Sequence, residues 1–133
     1  MKDFRARHIM VRPVVSARRK ASARDIALQL LTGLYSGMPV TDDDGRVVGV
    51  VTELDLLKAA EAGKQLVKIT AEEIMSTDVV TADVDTPVGE LAKIMTDKNI
   101  IRLPITDKGQ LVGVVARCDI LKTLIEPEFV TYA

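Results

Sequence analysis

Residues 38–57 carry Met38-Pro39-Val40-Thr41-Asp42, then Gly45, then Val47-Val48-Gly49-Val50-Val51-Thr52-Glu53-Leu54-Asp55-Leu56-Leu57. The chain uses this stretch twice. The second copy reads Leu103-Pro104-Ile105-Thr106-Asp107, then Gly109, then Leu111-Val112-Gly113-Val114-Val115-Ala116-Arg117-Cys118-Asp119-Ile120-Leu121. Each copy runs from an apolar strand through a Gly turn into a Val-rich strand and then a helix with an acid near its start. Pro39 and Pro104 stand 65 residues apart, as do Met10 and Met75, whereas Gly49 and Gly113, and Asp55 and Asp119, stand 64 apart. The slip falls in the turn, where Asp42-Asp43-Asp44-Gly45 is one residue longer than Asp107-Lys108-Gly109. An insertion in an exposed turn costs little.

Working outward, each copy is preceded by the same order of signals. Residues 4–10 predict a short helical turn, Pro13-Val14-Val15-Ser16-Ala17 a strand, and Ser22-Ala23-Arg24-Asp25 a capped helix start. Ile26, Leu30, Leu31 and Leu34 then share a helical face, and Gly63 suits the end of the helix that starts near Glu53. In the second half, Thr70-Ala71-Glu72-Glu73 is a capping box, Val79-Val80-Thr81 a strand, and Thr86 a cap with Pro87 at the first helical position. Val88, Leu91, Ala92 and Met95 form the apolar face of that helix, and the last helix runs from Arg117 to Ile125, before Pro127. Phe129 and Tyr132 sit in a tail that is either frayed or docked. The expectation is an α/β (α+β) fold of two pseudo-symmetric β-α-β-β-α repeats packed sheet to sheet. The repeats are 1–63 and 70–133, with 64–69 as linker. Half of a 133-residue chain is a marginal fold by itself, so the halves are expected to support one another.

The composition narrows the function classes. The chain is 47% hydrophobic and 28% charged, with a formal net charge of −1. That balance implies no bulk affinity for nucleic acid or anionic lipid. Lys2, Arg5, Arg7, Arg12, Arg18, Arg19, Lys20 and Arg24 nevertheless stand against Asp3 alone in residues 1–24. This is either a solvated basic face or a phosphate-attracting patch. Aromatics are 3% of the residues, too few for stacking on single strands. No apolar run approaches the ~20 residues of a membrane span, and the N-terminus lacks the apolar core of a signal peptide. A single cysteine, Cys118, excludes an internal disulfide and is expected as a small buried apolar residue in its helix. The expectation is a cytoplasmic protein, or a soluble domain facing the cytosol. One histidine, His8, and one cysteine make neither a metal site nor a catalytic triad, so no catalytic or metal-ligating residues are assigned. Asp42-Asp43-Asp44 reads as a solvated turn.

The chemistry sits in the repeated stretch. A glycine inside a β-branched strand marks a bulge or a close backbone approach. Thr52 stands where strand becomes helix, and the unpaired N–H groups of that helix start suit an anion. Asp55, one turn in, can accept hydrogen bonds from the vicinal hydroxyls of a ribose. The same Thr52-x-x-Asp55 pattern is also a variant capping box, which accounts for both residues structurally. In the second copy Ala116 takes the threonine position while Asp119 keeps the acid. An acid that served only the box would have less reason to remain there, and Arg117 is available for a phosphate.

Gly49-Val50-Val51-Thr52-x-x-Asp55, preceded by Met38-Pro39-Val40 and a Gly turn and duplicated as Gly113…Asp119, resembles a tandem pair of CBS domains, a Bateman module. The openings Ile9-Met10…Val14-Val15-Ser16 and Ile74-Met75-Ser76…Val79-Val80-Thr81 match as well, so the resemblance spans nearly the whole chain. It implies two clefts and an adenosine-type ligand: AMP, ADP, ATP or S-adenosylmethionine. It implies phosphate contact at Thr52, ribose contact at Asp55 and Asp119, and no phosphate contact at Ala116. It implies base contacts from main chain at Val15, Ser16 and Met38 beside Pro39, and at Val80, Thr81 and Leu103 beside Pro104, with Arg102 and Arg117 within reach of phosphate. It further implies a disc-like homodimer, a regulatory rather than enzymatic role and no required cofactor. An effector protein is an expected partner; membrane and nucleic acid are not. The alternative is an interaction module with degenerate, non-binding clefts.

Overall fold

The computed structural model describes residues 3–33 and 35–125. In chain order these form α1 (Ala6–Ile9), β1 (Ala17–Arg18), α2 (Ala23–Gly33), β2 (Gly37–Thr41), β3 (Val47–Thr52) and α3 (Glu53–Glu61). A 3-10 turn (Leu66–Lys68) follows, then α4 (Ala71–Ile74), β4 (Ala82–Asp83), α5 (Val88–Asp97), β5 (Arg102–Asp107), β6 (Gln110–Ala116) and α6 (Arg117–Ile125). There are two three-stranded sheets, ordered β1-β2-β3 and β4-β5-β6, each with a parallel pair followed by an antiparallel one. The expected β-α-β-β-α order is present in both halves. Leu34 and the tail with Phe129 and Tyr132 lie outside the described residues.

Two compact units divide the chain, and they follow packing rather than the repeat. One is Val15–Val79; the other joins the described residues up to Val14 with those from Val80 onward. In the first unit α2 and α3 cover the sheet, with Ile26, Leu30, Met38, Val40 and Val51 at 2% exposure or less. Ala71 of α4, from the start of the second repeat, is in the same core. In the second unit Val88, Leu91, Leu103, Ile105 and Val115 are fully buried, and Ala6 and Ile9 of α1 pack among them. Each such aliphatic side chain contributes about 1.5–3 kcal/mol on burial.

The residues just after the short helices α1 and α4 also bridge to the sheets. Val50 and Ser76 exchange backbone hydrogen bonds of 3.0 and 2.9 Å, and Val11 and Val114 exchange bonds of 2.8 and 3.1 Å. These bridges lie opposite the two conspicuous glycines. A Cβ on Gly49 would lie 2.4 Å from Met75 Sδ, and one on Gly113 would lie 2.6 Å from Met10 Sδ. The close approach expected at these glycines is therefore made by the chain's own methionines.

Several local expectations shift. The strands expected at 13–17 and 79–81 form only at Ala17–Arg18 and Ala82–Asp83, where Val40–Thr41 and Ile105–Thr106 lie opposite. A ladder needs a partner as well as propensity. Pro87 is itself the N-cap of α5, and the Thr86 N–H donates to the Asp83 carbonyl. Leu31 is 69% exposed rather than on the buried face. Cys118 is exposed, because α6 buries Asp119, Ile120 and Thr123 and so turns position 118 outward.

Candidate functional site

Strand direction gathers the expected residues at one end of each sheet. In the Val15–Val79 unit, β1 and β2 run parallel, so Val15 and Ser16 lie beside the start of β2. β3 runs the other way and brings Thr52 opposite Gly37. The parallel ladder contains only Ala17 with Val40 and Arg18 with Thr41. Ser16, Met38 and Pro39 lie outside it, so their main chain on that side is not committed to β1–β2 pairing. The Met38 side chain is 1% exposed and belongs to the core, which leaves only its main chain for a ligand. The second unit repeats this. β4 pairs only through Ala82 and Asp83, leaving Val80, Thr81, Leu103 and Pro104 beyond the parallel ladder, with Ala116 opposite Arg102. The Leu103 side chain is fully buried.

At the start of α3 both halves of a capping box are made. Thr52 Oγ1 accepts the Asp55 N–H at 3.2 Å, and Asp55 Oδ2 accepts the Thr52 N–H at 2.8 Å. The Thr52 hydroxyl also donates to Asp55 Oδ2 at 3.0 Å. The hydroxyl proton and one carboxylate oxygen are thus engaged, while Oδ1 takes no part in the box. At α6, Asp119 Oδ2 accepts the Ala116 N–H at 2.7 Å, so the acid still caps where the hydroxyl is gone. The persistence of Asp119 beside Ala116 therefore has a structural cause.

Arg117 is tied down by the loop before β5. Its Nε donates to the Ile100 carbonyl at 3.0 Å and its Nη2 to Asn99 Oδ1 at 2.9 Å. That fork secures a turn in which Asn99 has φ 53°. The guanidinium is thus engaged by Asn99 and the Ile100 carbonyl. Arg102 is exposed on the surface of β5.

The basic N-terminal stretch is partly neutralised. Arg7 pairs with Asp85 at 2.6 Å, Arg18 with Asp43 at 3.0 Å, and Lys20 with Glu72. Arg5 donates to the Asp85 carbonyl at 2.6 Å. Surface pairs of this kind contribute little stability each, but they remove cations from a continuous patch. Among the described residues no group of three His, Cys, Asp or Glu could hold a metal ion, and no helix is long and apolar enough to cross a membrane.

Comparison with known proteins places these features. A model of the CBS domain family matches residues 6–62 and 71–126. An uncharacterized protein of Methanopyrus kandleri is 33% identical over 132 residues, covering 98% of this chain and 66% of that protein. Two proteins of Methanocaldococcus jannaschii, one uncharacterized and one an L-aspartate semialdehyde sulfurtransferase, are matched over 33% and 21% of their length. The chain thus spans two thirds or less of these relatives. The CBS domain pair of protein MJ0100, solved with 5′-methylthioadenosine and S-adenosyl-L-methionine, is 31% identical with a TM-score of 0.79, covering 92% of this chain and 97% of that one. A putative acetoin utilization protein of Vibrio cholerae superposes with a TM-score of 0.86 at 23% identity, covering 98% and 97% of the two chains, and so shares the fold.

Proposed function

We propose, since this chain belongs to the CBS domain family as a tandem pair, that it is a regulatory module that binds an adenosyl ligand and passes the change to a partner chain. One observation carries this. The uncommitted main chain at Val15, Ser16, Met38 and Pro39 converges with Thr52 and Asp55 at one sheet end, in a fold whose 31% identical neighbour holds adenosyl ligands. Asp55, whose Oδ1 takes no part in the capping box, is the ribose acceptor. The first repeat is the stronger site, because Ala116 offers no hydroxyl in the second. The candidate ligands are AMP, ADP, ATP and S-adenosylmethionine, and the role is regulatory rather than catalytic.

Any response to ligand is limited by its differential affinity for two states of the module. The partner is a second copy or an effector protein in the cytosol. A second copy is supported by α2 and α3, which touch each other and expose Leu31 at 69% and Leu57 at 64%. Calorimetric titration with the four ligands and 5′-methylthioadenosine tests the proposal; absence of heat with all five removes it. A second reading, an interaction module with non-binding clefts, is favoured by one feature. The capping box engages Thr52 and one carboxylate oxygen of Asp55 within the protein itself.

A further inference from the structure

Beside the ribose acceptor runs a second feature that the family pattern Gly-x-x-Thr-x-x-Asp does not include. A groove of ≈ 230 Å³ is lined by Asp55, Lys58, Ala59, Ala62, Lys64 and Ile74. Its floor is one stripe of α3. Asp55, Ala59 and Ala62 recur at helical spacing, so the groove follows the helix for about 10 Å. Ile74 of α4 forms the facing wall, and Gly63, at φ +84°, turns the chain so that Lys64 closes the far end. The volume is below the about 300–1,000 Å³ of a whole small-molecule pocket. It suits part of a ligand whose remainder lies on the other side of Asp55.

The charges of the groove are unbalanced. Among the described residues, Lys58 and Lys64 have no ion-pair partner, whereas Lys20, beside α4, is held by Glu72. The acids on α4 that could have neutralised the groove are committed elsewhere: Glu72 pairs with Lys20, and Glu73 Oε2 accepts the Thr70 N–H. Asp55 is the one acid on the lining. The end of α3 adds a partial negative charge of about half a unit, which two full cations exceed.

We propose that Lys58 and Lys64 form an anion subsite that determines specificity, and that the ligand of the first repeat is a nucleoside di- or triphosphate with its phosphates in this groove. This rests on the adenosyl-ligand reading above. Lys58 is one helical turn beyond Asp55, about 4.5 Å along the axis, in reach of a proximal phosphate when Asp55 holds the ribose. Lys64, at the far end, meets the distal phosphates. A sulfonium ligand would bring positive charge to two unpaired lysines, and a neutral thioether would leave them without a counterion. The groove therefore discriminates by charge within the adenosyl class. The second repeat keeps the first lysine as Lys122 but places Thr123, buried and hydrogen-bonded to the Ile120 carbonyl, where the first has Ala59.

The test is calorimetric titration of the full chain, free of divalent cations, with ATP, ADP, 5′-methylthioadenosine and S-adenosylmethionine. It is run on the wild type and on Lys58→Gln, Lys64→Gln and the double variant, each checked for unchanged melting. Both lysines are exposed, so folding should be unaffected. The wild type should bind ATP at least about 10-fold more tightly than 5′-methylthioadenosine, as charge-assisted hydrogen bonds imply. Raising the salt should reduce that preference. The double variant should lose it while its affinity for 5′-methylthioadenosine stays within about 2-fold. Equal or tighter binding of the sulfonium compound, or a preference that survives both substitutions, overturns the subsite and leaves the adenosyl reading standing. No binding of any of the four compounds by the wild type overturns both.

Discussion

Asp119 accepts the Ala116 N–H at 2.7 Å, the same bond that Asp55 makes to the Thr52 N–H at 2.8 Å. One carboxylate therefore caps a helix in each unit, with or without a hydroxyl to answer it. Asp119 is 9% exposed, so removing its acceptor leaves a helix start unpaired in a largely buried place. Asp119→Ala should lower stability by about 1–2 kcal/mol, read as a lower urea midpoint at unchanged slope. Asp119→Asn, which retains an acceptor, should cost less. Equal losses for the two would mean that the charge matters and the cap does not.

Gly49 is held against Met75 and against backbone. A Cβ there would meet Met75 Sδ at 2.4 Å and the Ser76 carbonyl oxygen at 3.0 Å. Gly49→Ala should destabilise by about 1–3 kcal/mol as overpacking does. Adding Met75→Ala should recover part of that loss, since the side chain moves away but the carbonyl stays. A double-mutant cycle with no coupling between the two positions would show that Met75 is not what excludes a side chain.

Much of this was legible before the structure and some was not. The strand pairs and the α3 and α4 starts follow from residues that interact within a few positions, such as Thr52 with Asp55 and Thr70 with Glu73. The pairing of Met75 with Gly49 and of Met10 with Gly113 shows in the sequence only as two repeat spacings, 65 residues between the methionines and 64 between the glycines. Nothing local says that a methionine will fill the space over a glycine in a distant strand. The Val-Val runs before β1 and β4 misled because a parallel ladder depends on what lies opposite. The apolar character of Cys118 favours an inward position, but the helical period set by Ile120 and Thr123 turns it outward. At the candidate site, Thr52 and Asp55 were found by motif. Lys58 and Lys64 carried no motif and became visible only when Ile74 placed a wall across from them. The bonds of Arg117 to Asn99 and Ile100 join residues 18 and 17 positions apart, so no local pattern shows them.

Acid should weaken the Val15–Val79 unit. The hydrogen bond from Lys20 holds the Glu72 carboxyl below its usual range. The Arg46 N–H, with that of Asp44, does the same for Asp42. A depressed folded-state pKa contributes stability above the unfolded pKa, and that contribution is lost as pH falls through the folded value. The melting temperature should therefore hold from neutral pH to about pH 5 and then decline. Glu72→Gln and Asp42→Asn together should flatten that decline. An acid limb as steep as wild type in the double variant would assign it to other carboxylates.

The exposed leucines of α2 and α3 should mediate pairing of two copies. Light scattering should find the wild type dimeric and Leu31→Glu/Leu57→Glu monomeric, with secondary structure retained because neither side chain is in the core. A wild-type monomer at micromolar concentration, or a dimer indifferent to both charges, would place the interface elsewhere.

The most informative measurement is calorimetric titration of wild type and Asp55→Ala with AMP, ADP, ATP, S-adenosylmethionine and 5′-methylthioadenosine. Saturable binding of at least one by the wild type is expected, weakened by about 1.5–3 kcal/mol in the variant, as for loss of a charged hydrogen-bond partner. Asp55→Ala also removes a cap, so its affinity is compared at a temperature where both proteins are fully folded. Silence of the wild type toward all five compounds, or affinity unchanged by Asp55→Ala, would contradict a ligand-sensing site at Asp55.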